Sequence, residues 1–416
     1  RRSLPSFLKV SSFVLSPMSS GAFSASKMVI EKALLGGTKA PPAREELLGK
    51  WGKHFCGRML VAQWTRDQGW GAPTITTMKP FELSPAASCL HYALQCFEGM
   101  KAYRGTHDDR IRLFRPELNA RRFNSSLRRL AMPEIPEKEF IDALRIFVKD
   151  QETWIPHGEG YSGYLRPTAI STDPSLGVGA ANEVTFFSIL SPVGPYFPDG
   201  FKPISVYAES SNVRAWPGGA GAFKIGANYG PTIMPQTEAK NKIGASQVLY
   251  CTPDPVTKRK RLTEVGSMNI FLVWANPTTG KPELVTPPLA HQDILPGVTR
   301  QSILDLARSY GGDLCTVSDT TDIFLDDVQK AADESRLLEV FGSGTAAVIA
   351  PIKSIFLAAD DDEKKNTNIQ ELAVPVDDAT GLGPIASKLL NDLTAAHYGR
   401  SPLSADWCVD VNSKDY

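Results

Sequence analysis

At 416 residues the chain is too long for one small core and points to two or three domains. Hydrophobic residues at 42% and charged residues at 22% suit a globular protein, and 45 basic against 45 acidic residues leave no net charge to steer nucleic acid or an anionic membrane to the surface. The six cysteines and six histidines make neither a C-x-x-C pair nor a zinc-like cluster, and no apolar run approaches the roughly 20 residues that span a bilayer, so metal, disulfide and membrane classes are set aside and a reducing compartment is implied.

The first thirty residues carry Arg1, Arg2, Lys9 and Lys27, many serines and no acidic residue before Glu31. A mitochondrial transit segment and a plain polar tail fit that mixture equally. It tilts the expected compartment toward the mitochondrial matrix over the cytoplasm, and residues 1–45 are read as an N-terminal extension. From Trp51 the pattern turns globular. Alternation with β-branched or aromatic content predicts strands over 58–66 and 111–115. Residues 116–129 read as a helix with apolar positions at Leu118, Phe123 and Leu127. A second helix over 137–150 sets Phe140, Leu144, Ile146 and Phe147 near one face.

Strands follow over 163–171 and 183–191. The turn-rich stretch from Ser191 to Lys202 marks a connection between domains. It is placed at 198–212, between a small first domain over 46–197 and a larger second one over 213–416. The second block opens on the glycine-rich run from Gly218 to Thr232 and continues as a helix to about Gly244. A hairpin-like pair, 247–251 with 262–274, then surrounds the basic run from Lys258 to Arg261, which reads as solvated surface and not as a nucleic-acid site. A helix over 297–310 starts just after Pro296 and ends at Gly311 and Gly312. The fold class is α+β in two domains.

Three features could carry chemistry. Lys224 sits among small and apolar residues, where lost hydration disfavours an ammonium, as a Schiff-base lysine requires. An exposed lysine on a flexible glycine loop fits the same residues. The run is no phosphate loop, because Ile225 stands where serine or threonine should follow the lysine. Glu264 lies in LTEVGSMNIF, a strand-like run otherwise free of charge. A carboxylate buried there needs a cationic or donor partner, either a protonated pyridine nitrogen or a structural salt bridge. Third, the helix start at Val298 and Thr299 offers unpaired N–H groups to an anion. FGSGTAAVIAP at 341–351 adds a glycine-rich turn with the Thr345 hydroxyl. With an arginine such as Arg122 these would complete a phosphate clamp, although both segments also read as plain connections.

Glu264, Asn269, Ile270 and Phe271, followed by LVT at 284–286 and LPGVTR at 295–300, resemble the class IV aminotransferase signature in order and gaps. FEGMKAYRG (97–105), RLFRPELNARRF (112–123), YLRPT (164–168), SPVGPYF (191–197), GANYGPT (226–232) and FGSGTA (341–346) resemble branched-chain aminotransferases in particular. The resemblance runs from about Trp51 to Arg400. It implies a two-domain, fold type IV enzyme with pyridoxal 5′-phosphate between the domains, and a homodimer that draws part of its pocket from the second subunit.

By the same resemblance Lys224 forms the Schiff base and moves the proton between substrate Cα and cofactor C4′. Glu264 keeps the pyridine nitrogen protonated, Tyr229 meets the phenolic oxygen, and Arg122, Val298, Thr299 and Thr345 grip the phosphate. Ser267, Tyr92 and the backbone at Ala346 take the substrate α-carboxylate. Phe97, Tyr164 and Tyr196 wall an apolar pocket, Arg166 answers the distal carboxylate of glutamate, and Trp51 closes the pocket. Without the resemblance, core packing is the simpler account of each aromatic.

Three positions depart from the pattern. Ser267 replaces a common threonine and Ala227 a frequent glycine. Ala347 and Ala350 stand where some animal members carry a redox C-x-x-C, so no thiol switch is expected. The implied activity is ping-pong transamination of leucine, isoleucine or valine with 2-oxoglutarate. A class IV enzyme for other amino acids, D-amino acids among them, and a non-catalytic cofactor-binding regulator are the alternatives.

Overall fold

The computed structural model describes residues 21–32, 40–196, 202–312, 314–358 and 369–413. Residues 1–20 and 33–39 of the expected extension and 198–201 of the expected connection lie outside them. Two sheets organise the described chain. A ten-stranded sheet takes the strands between Val29 and Val193 and, at one edge, Cys408–Asp410; a nine-stranded sheet takes those between Ile204 and Ala373.

In the first sheet Ser162–Ser171 lies antiparallel to Glu183–Val193, in register from Ser162 against Val193 to Ser171 against Val184. Both fall where alternation predicts strands. The two-residue period sets Leu165 and Ala169, which are core residues, on one face and Tyr164, Arg166 and Thr168 on the other. Two helices complete that core: α1 over Pro116–Arg129 and α2 over Glu137–Asp150. Ala120, Phe123 and Leu127 of α1 and Phe140, Leu144 and Phe147 of α2 recur at helical spacing and are buried in one cluster with Leu165, Ala169 and Phe186. Pro116 opens α1 where a missing N–H removes no helical hydrogen bond. Leu118, expected among the apolar positions of α1, is only partly buried and packs against a different core.

In the second sheet Gln247–Pro253 pairs with Lys260–Val265 as the expected hairpin. The predicted strand over 262–274 is instead two strands: Lys260–Val265 turns at Gly266 and Ser267 into Met268–Ala275, with Val265 opposite Met268. Gly266 has φ +57°, a conformation open to glycine, and a glycine inside an apolar run marks such a break. The basic run is likewise not all solvated surface. Arg261 is a strand residue, 3% exposed and paired with Asp293, while Arg259 is tied to Asp326 and Asp327. The acids that neutralise these arginines are distant in sequence, so a count of local charge does not find them.

Helix α3, Val298–Ser309, follows Gly297 and stops before Gly311 and Gly312, both at positive φ, as the capping signals predict. It shares a core with α4, Pro384–His397, with Phe271 and Phe341 of the second sheet, and with Tyr103 and Phe114 of the first. That core joins the two sheets. Ile204–Glu209, inside the expected connection, is a strand of the second sheet between Gln247–Pro253 and Val348–Ala358. Cys56, Cys96, Cys251 and Cys315 are buried, as expected of core cysteines.

Candidate active site

Lys224 is not on a free loop. Its backbone N–H donates to Ser126 Oγ of α1 at 2.9 Å, its carbonyl accepts from the Phe97 N–H at 3.0 Å, and Ile225 bridges to Cys96. Asn228 closes the glycine-rich segment by donating to the Ala220 and Phe223 carbonyls. A long side chain on so fixed a backbone reaches a defined place: Lys224 Nζ donates to Tyr229 Oη at 3.1 Å and lies 4.9 Å from the centre of the Phe97 ring. The Phe97 ring is 4.9 Å from that of Tyr229, and Arg166 stands 4.8 Å from it.

Tyr164 and Arg166 share a sheet face, and Arg166 Nη2 donates to Tyr164 Oη at 2.9 Å. Arg166 makes no ion pair among the described residues, and its buried Nε has no partner. Trp51 packs 4.6 Å from Tyr164 and 6.4 Å from Tyr196, so these three rings form one wall. A Cβ on Gly99 would collide with the Tyr164 hydroxyl, which explains glycine at that position.

Glu264 is buried. It accepts from the Leu295 N–H at 2.9 Å and from Asn269 Nδ2 at 3.2 Å. Arg214 Nε lies 2.6 Å from its second oxygen, an ion pair in which the Nε–H itself makes no hydrogen bond. Burial raises the Glu264 carboxyl above its ordinary pKa, with Arg214 pulling the other way. The structural salt bridge foreseen for Glu264 therefore exists. Its other oxygen is fixed by the segment that leads into α3.

Arg122 reaches the same helix start from α1. Its Nη1 donates to the Pro296 carbonyl at 3.0 Å, while Nε and Nη2 grip the two oxygens of Glu98 at 2.8 Å each. Glu98 is fully buried and also accepts from Asn119 Nδ2 at 2.7 Å. Burial alone would raise its pKa; the Arg122 guanidinium overrides that and holds it below the ordinary carboxylate value. Val298 and Thr299 at the start of α3 line one small cavity together with Thr345 and Lys101.

Two expected residues are exposed. Tyr92 ends the short helix Ser88–Tyr92, is 37% exposed and donates its hydroxyl to the Leu176 carbonyl. Ser267 is exposed at the turn between Lys260–Val265 and Met268–Ala275. The Ala346 carbonyl accepts from Lys101 Nζ at 2.9 Å. Sequence reasoning missed Glu98, Asn119, Ser126 and Arg214. Glu98 alone carried a signal, since it is the sole acid between Glu82 and Lys101, the same isolation that singled out Glu264.

Residues 95–355 match the class IV amino-transferase family. The branched-chain-amino-acid aminotransferase of Dictyostelium discoideum is 44% identical over 87% of this chain and 89% of its own. The mitochondrial branched-chain-amino-acid aminotransferase of Rattus norvegicus is 42% identical over 90% of this chain and 88% of its own. Relatives named cytosolic match as well. Among solved structures, the branched-chain amino acid aminotransferase from Thermobaculum terrenum in its PLP-form superposes with a TM-score of 0.63 at 22% identity, covering 85% of this chain and 98% of that one, so the fold is shared. On a family match over more than half its length, and on relatives this similar across most of both chains, the protein belongs to the class IV amino-transferases, in the branched-chain group.

Proposed function

We infer that the protein transaminates the branched-chain L-amino acids leucine, isoleucine and valine with 2-oxoglutarate, giving branched-chain 2-oxo acids and L-glutamate, and uses pyridoxal 5′-phosphate to do so. The observation that carries this reading is one arrangement. A lysine amine and a tyrosine hydroxyl stand 3.1 Å apart beside an aromatic wall that holds an arginine without an ion pair among the described residues.

The residues present fit the cofactor. Lys224 Nζ offers an amine for covalent attachment, and Glu264 is a buried carboxylate fixed by a backbone N–H. The start of α3 offers N–H groups without helical partners to a phosphate. Arg122 sits at that helix start and Thr345 lines the adjoining cavity. When bound, the cofactor supplies an electron sink for negative charge at the substrate Cα.

The chain's own groups do the rest. Lys224 Nζ takes the proton from Cα and returns it, and Tyr229 orients the amine through the bond they share. Glu264, tied to Leu295 and paired with Arg214, holds a proton on the ring nitrogen. Glu98 keeps the Arg122 guanidinium in one orientation through two parallel bonds. Phe97, Tyr164 and Tyr196 exclude water around an aliphatic side chain. Arg166, with its free Nε, meets the distal carboxylate of glutamate, so one pocket serves two unlike substrates in turn. The turn at Thr345 and Ala346, with Ser267, receives the substrate α-carboxylate.

Tyr92 lies outside this cluster in its own subunit. Leu90, two residues before it, Leu176, whose carbonyl takes its hydroxyl proton, and Val178, two residues past Leu176, are exposed with it. An apolar patch of that kind marks a protein contact, and a homodimer in which Tyr92 serves the partner's pocket accounts for it. The chain divides between Val193 and Ile204 into two domains, the first completed by the returning strand Cys408–Asp410, with the site between them. The protein works in the mitochondrion or the cytoplasm, and the composition of residues 1–30 favours the former.

An absorbance spectrum of the purified protein tests the reading. A visible cofactor band that bleaches with L-leucine and returns with 2-oxoglutarate, and that does not cycle in Lys224→Ala, is the expected result. A band that ignores leucine would overturn the branched-chain assignment, and a protein that takes up no pyridoxal phosphate would overturn the whole reading.

A further inference from the structure

Lys101 takes no part in the mechanism above, yet it is a charged side chain placed at the site. It lies on the strand Met100–Arg104 directly across from Tyr164, so the two side chains share one face of the first sheet. It is 7% exposed, and its Nζ donates to the Ala346 carbonyl at 2.9 Å. It makes no salt bridge among the described residues, so one carbonyl oxygen stands where a buried cation ordinarily needs an acid.

The groups around it do not supply that acid. Lys101 lines a cavity of about 390 Å³ with Tyr196, Ala346, His397, Tyr398 and Glu159. Glu159 is engaged by Arg400 at 2.6 Å. His397 is held neutral, its pKa depressed to about 3 by burial and by Lys101 itself. Tyr103, stacked on His397, and Tyr398 are pushed up by burial and stay neutral. Burial brings Lys101 down to about 8, so the amine is near the edge of losing its charge in mildly alkaline solution.

The missing anion has a natural place. The Ala346 carbonyl belongs to the peptide whose N–H is that of Ala347, so a cation bonded to the oxygen polarises the N–H on the far side of the same plane. We propose that Lys101 is a positioning residue that fixes the turn at 345–347 through the Ala346 carbonyl and sets behind it the positive charge that draws the substrate α-carboxylate onto the turn. The proposal rests on the reading that this turn receives that carboxylate.

The test uses the cofactor-loaded enzyme and two probes of equal shape: 4-methylpentanoate, a leucine-like carboxylate without an amine, and its neutral carboxamide. Their dissociation constants are measured by calorimetry from pH 7 to 10 for the wild type, Lys101→Arg and Lys101→Met. Loss of the charge in Lys101→Met weakens the carboxylate about tenfold and leaves the carboxamide unchanged, while Lys101→Arg stays within about threefold of the wild type. In the wild type the preference for carboxylate over carboxamide declines as pH rises through the lysine's titration; in Lys101→Arg that decline is absent. This pH series decides the matter even if Lys101→Met does not fold.

Equal weakening of both probes, or a preference with the same pH course in wild type and Lys101→Arg, would overturn the proposal. So would a Lys101→Met enzyme that releases its cofactor but binds the carboxylate normally when reloaded, since the charge would then serve the phosphate. If 4-methylpentanoate does not bind the wild type at all, the carboxylate reading of the turn falls first.

Discussion

We propose that dual specificity turns on Arg166. Its guanidinium lies against the Phe97 ring and is bonded to the Tyr164 hydroxyl, with no acid among the described residues to neutralise it. A charge kept free in an apolar wall is costly unless a substrate supplies the counter-charge. We expect Arg166→Gln to lower kcat/KM for glutamate and 2-oxoglutarate by about tenfold to a hundredfold, the scale of one lost charged hydrogen bond. Leucine turnover in the half-reaction should stay within about threefold, as separate kinetics of the two halves will check. At this scale the sequence was legible where a residue was chemically isolated. Lys224 and Glu264 stand alone in uncharged runs and proved to be buried or half-buried and bonded. Ser126 and Arg214 were not legible, because each acts by touching a residue far away in the chain: Ser126 by holding the Lys224 backbone, Arg214 by pairing with Glu264.

Elements were readable where one periodicity ran without interruption. Helices α1 and α2 follow their hydrophobic patterns closely, since each buries one continuous face, and Ser162–Ser171 and Glu183–Val193 stand out as apolar runs because both are buried along most of their length. The apolar run at 262–274 misled because both strands it contains are buried and only Gly266 and Ser267 separate them. Helix α4 carries a second consequence of burial. His397, at its end, lies stacked on Tyr103 at 4.4 Å and is kept neutral, with a folded pKa of about 3 against an ordinary 6.5. Between those values the unfolded chain binds a proton that the folded one refuses, so this group removes stability as pH falls through 6.5 toward 3. From pH 7 to pH 5 the loss amounts to about 2 kcal/mol. His397→Phe should abolish that part of the acid sensitivity, measured as the change in urea-unfolding free energy between the two pH values. An unchanged difference would count against a neutral buried imidazole.

For the molecule as a whole, the exposed apolar residues around the Tyr92–Leu176 bond are the surface on which the proposed dimer depends. Leu176→Glu places a carboxylate in it and should convert a dimeric species to monomers in sedimentation, with a loss of turnover that follows the loss of Tyr92 from the partner's pocket. A wild type that sediments as a monomer would remove the dimer from the account. The two-sheet plan could be anticipated from the order of strand and helix patterns. The way the sheets are joined could not. The shared core draws Tyr103 and Phe114 from one and Phe271 and Phe341 from the other, and each of these reads locally as an ordinary strand residue.

The short strand Cys408–Asp410 pairs with Ile111–Phe114 at the edge of the first sheet, although every strand of the second sheet lies between them in the chain. Synthesis runs from the N-terminus, so the ribosome makes all nine strands of the second sheet before the residues that close the first. Throughout that interval the growing polypeptide carries an unprotected row of backbone donors and acceptors at Ile111–Phe114, the kind of edge that recruits stray strands from other nascent chains. The half made first is thus finished last, and the two halves mature as one unit.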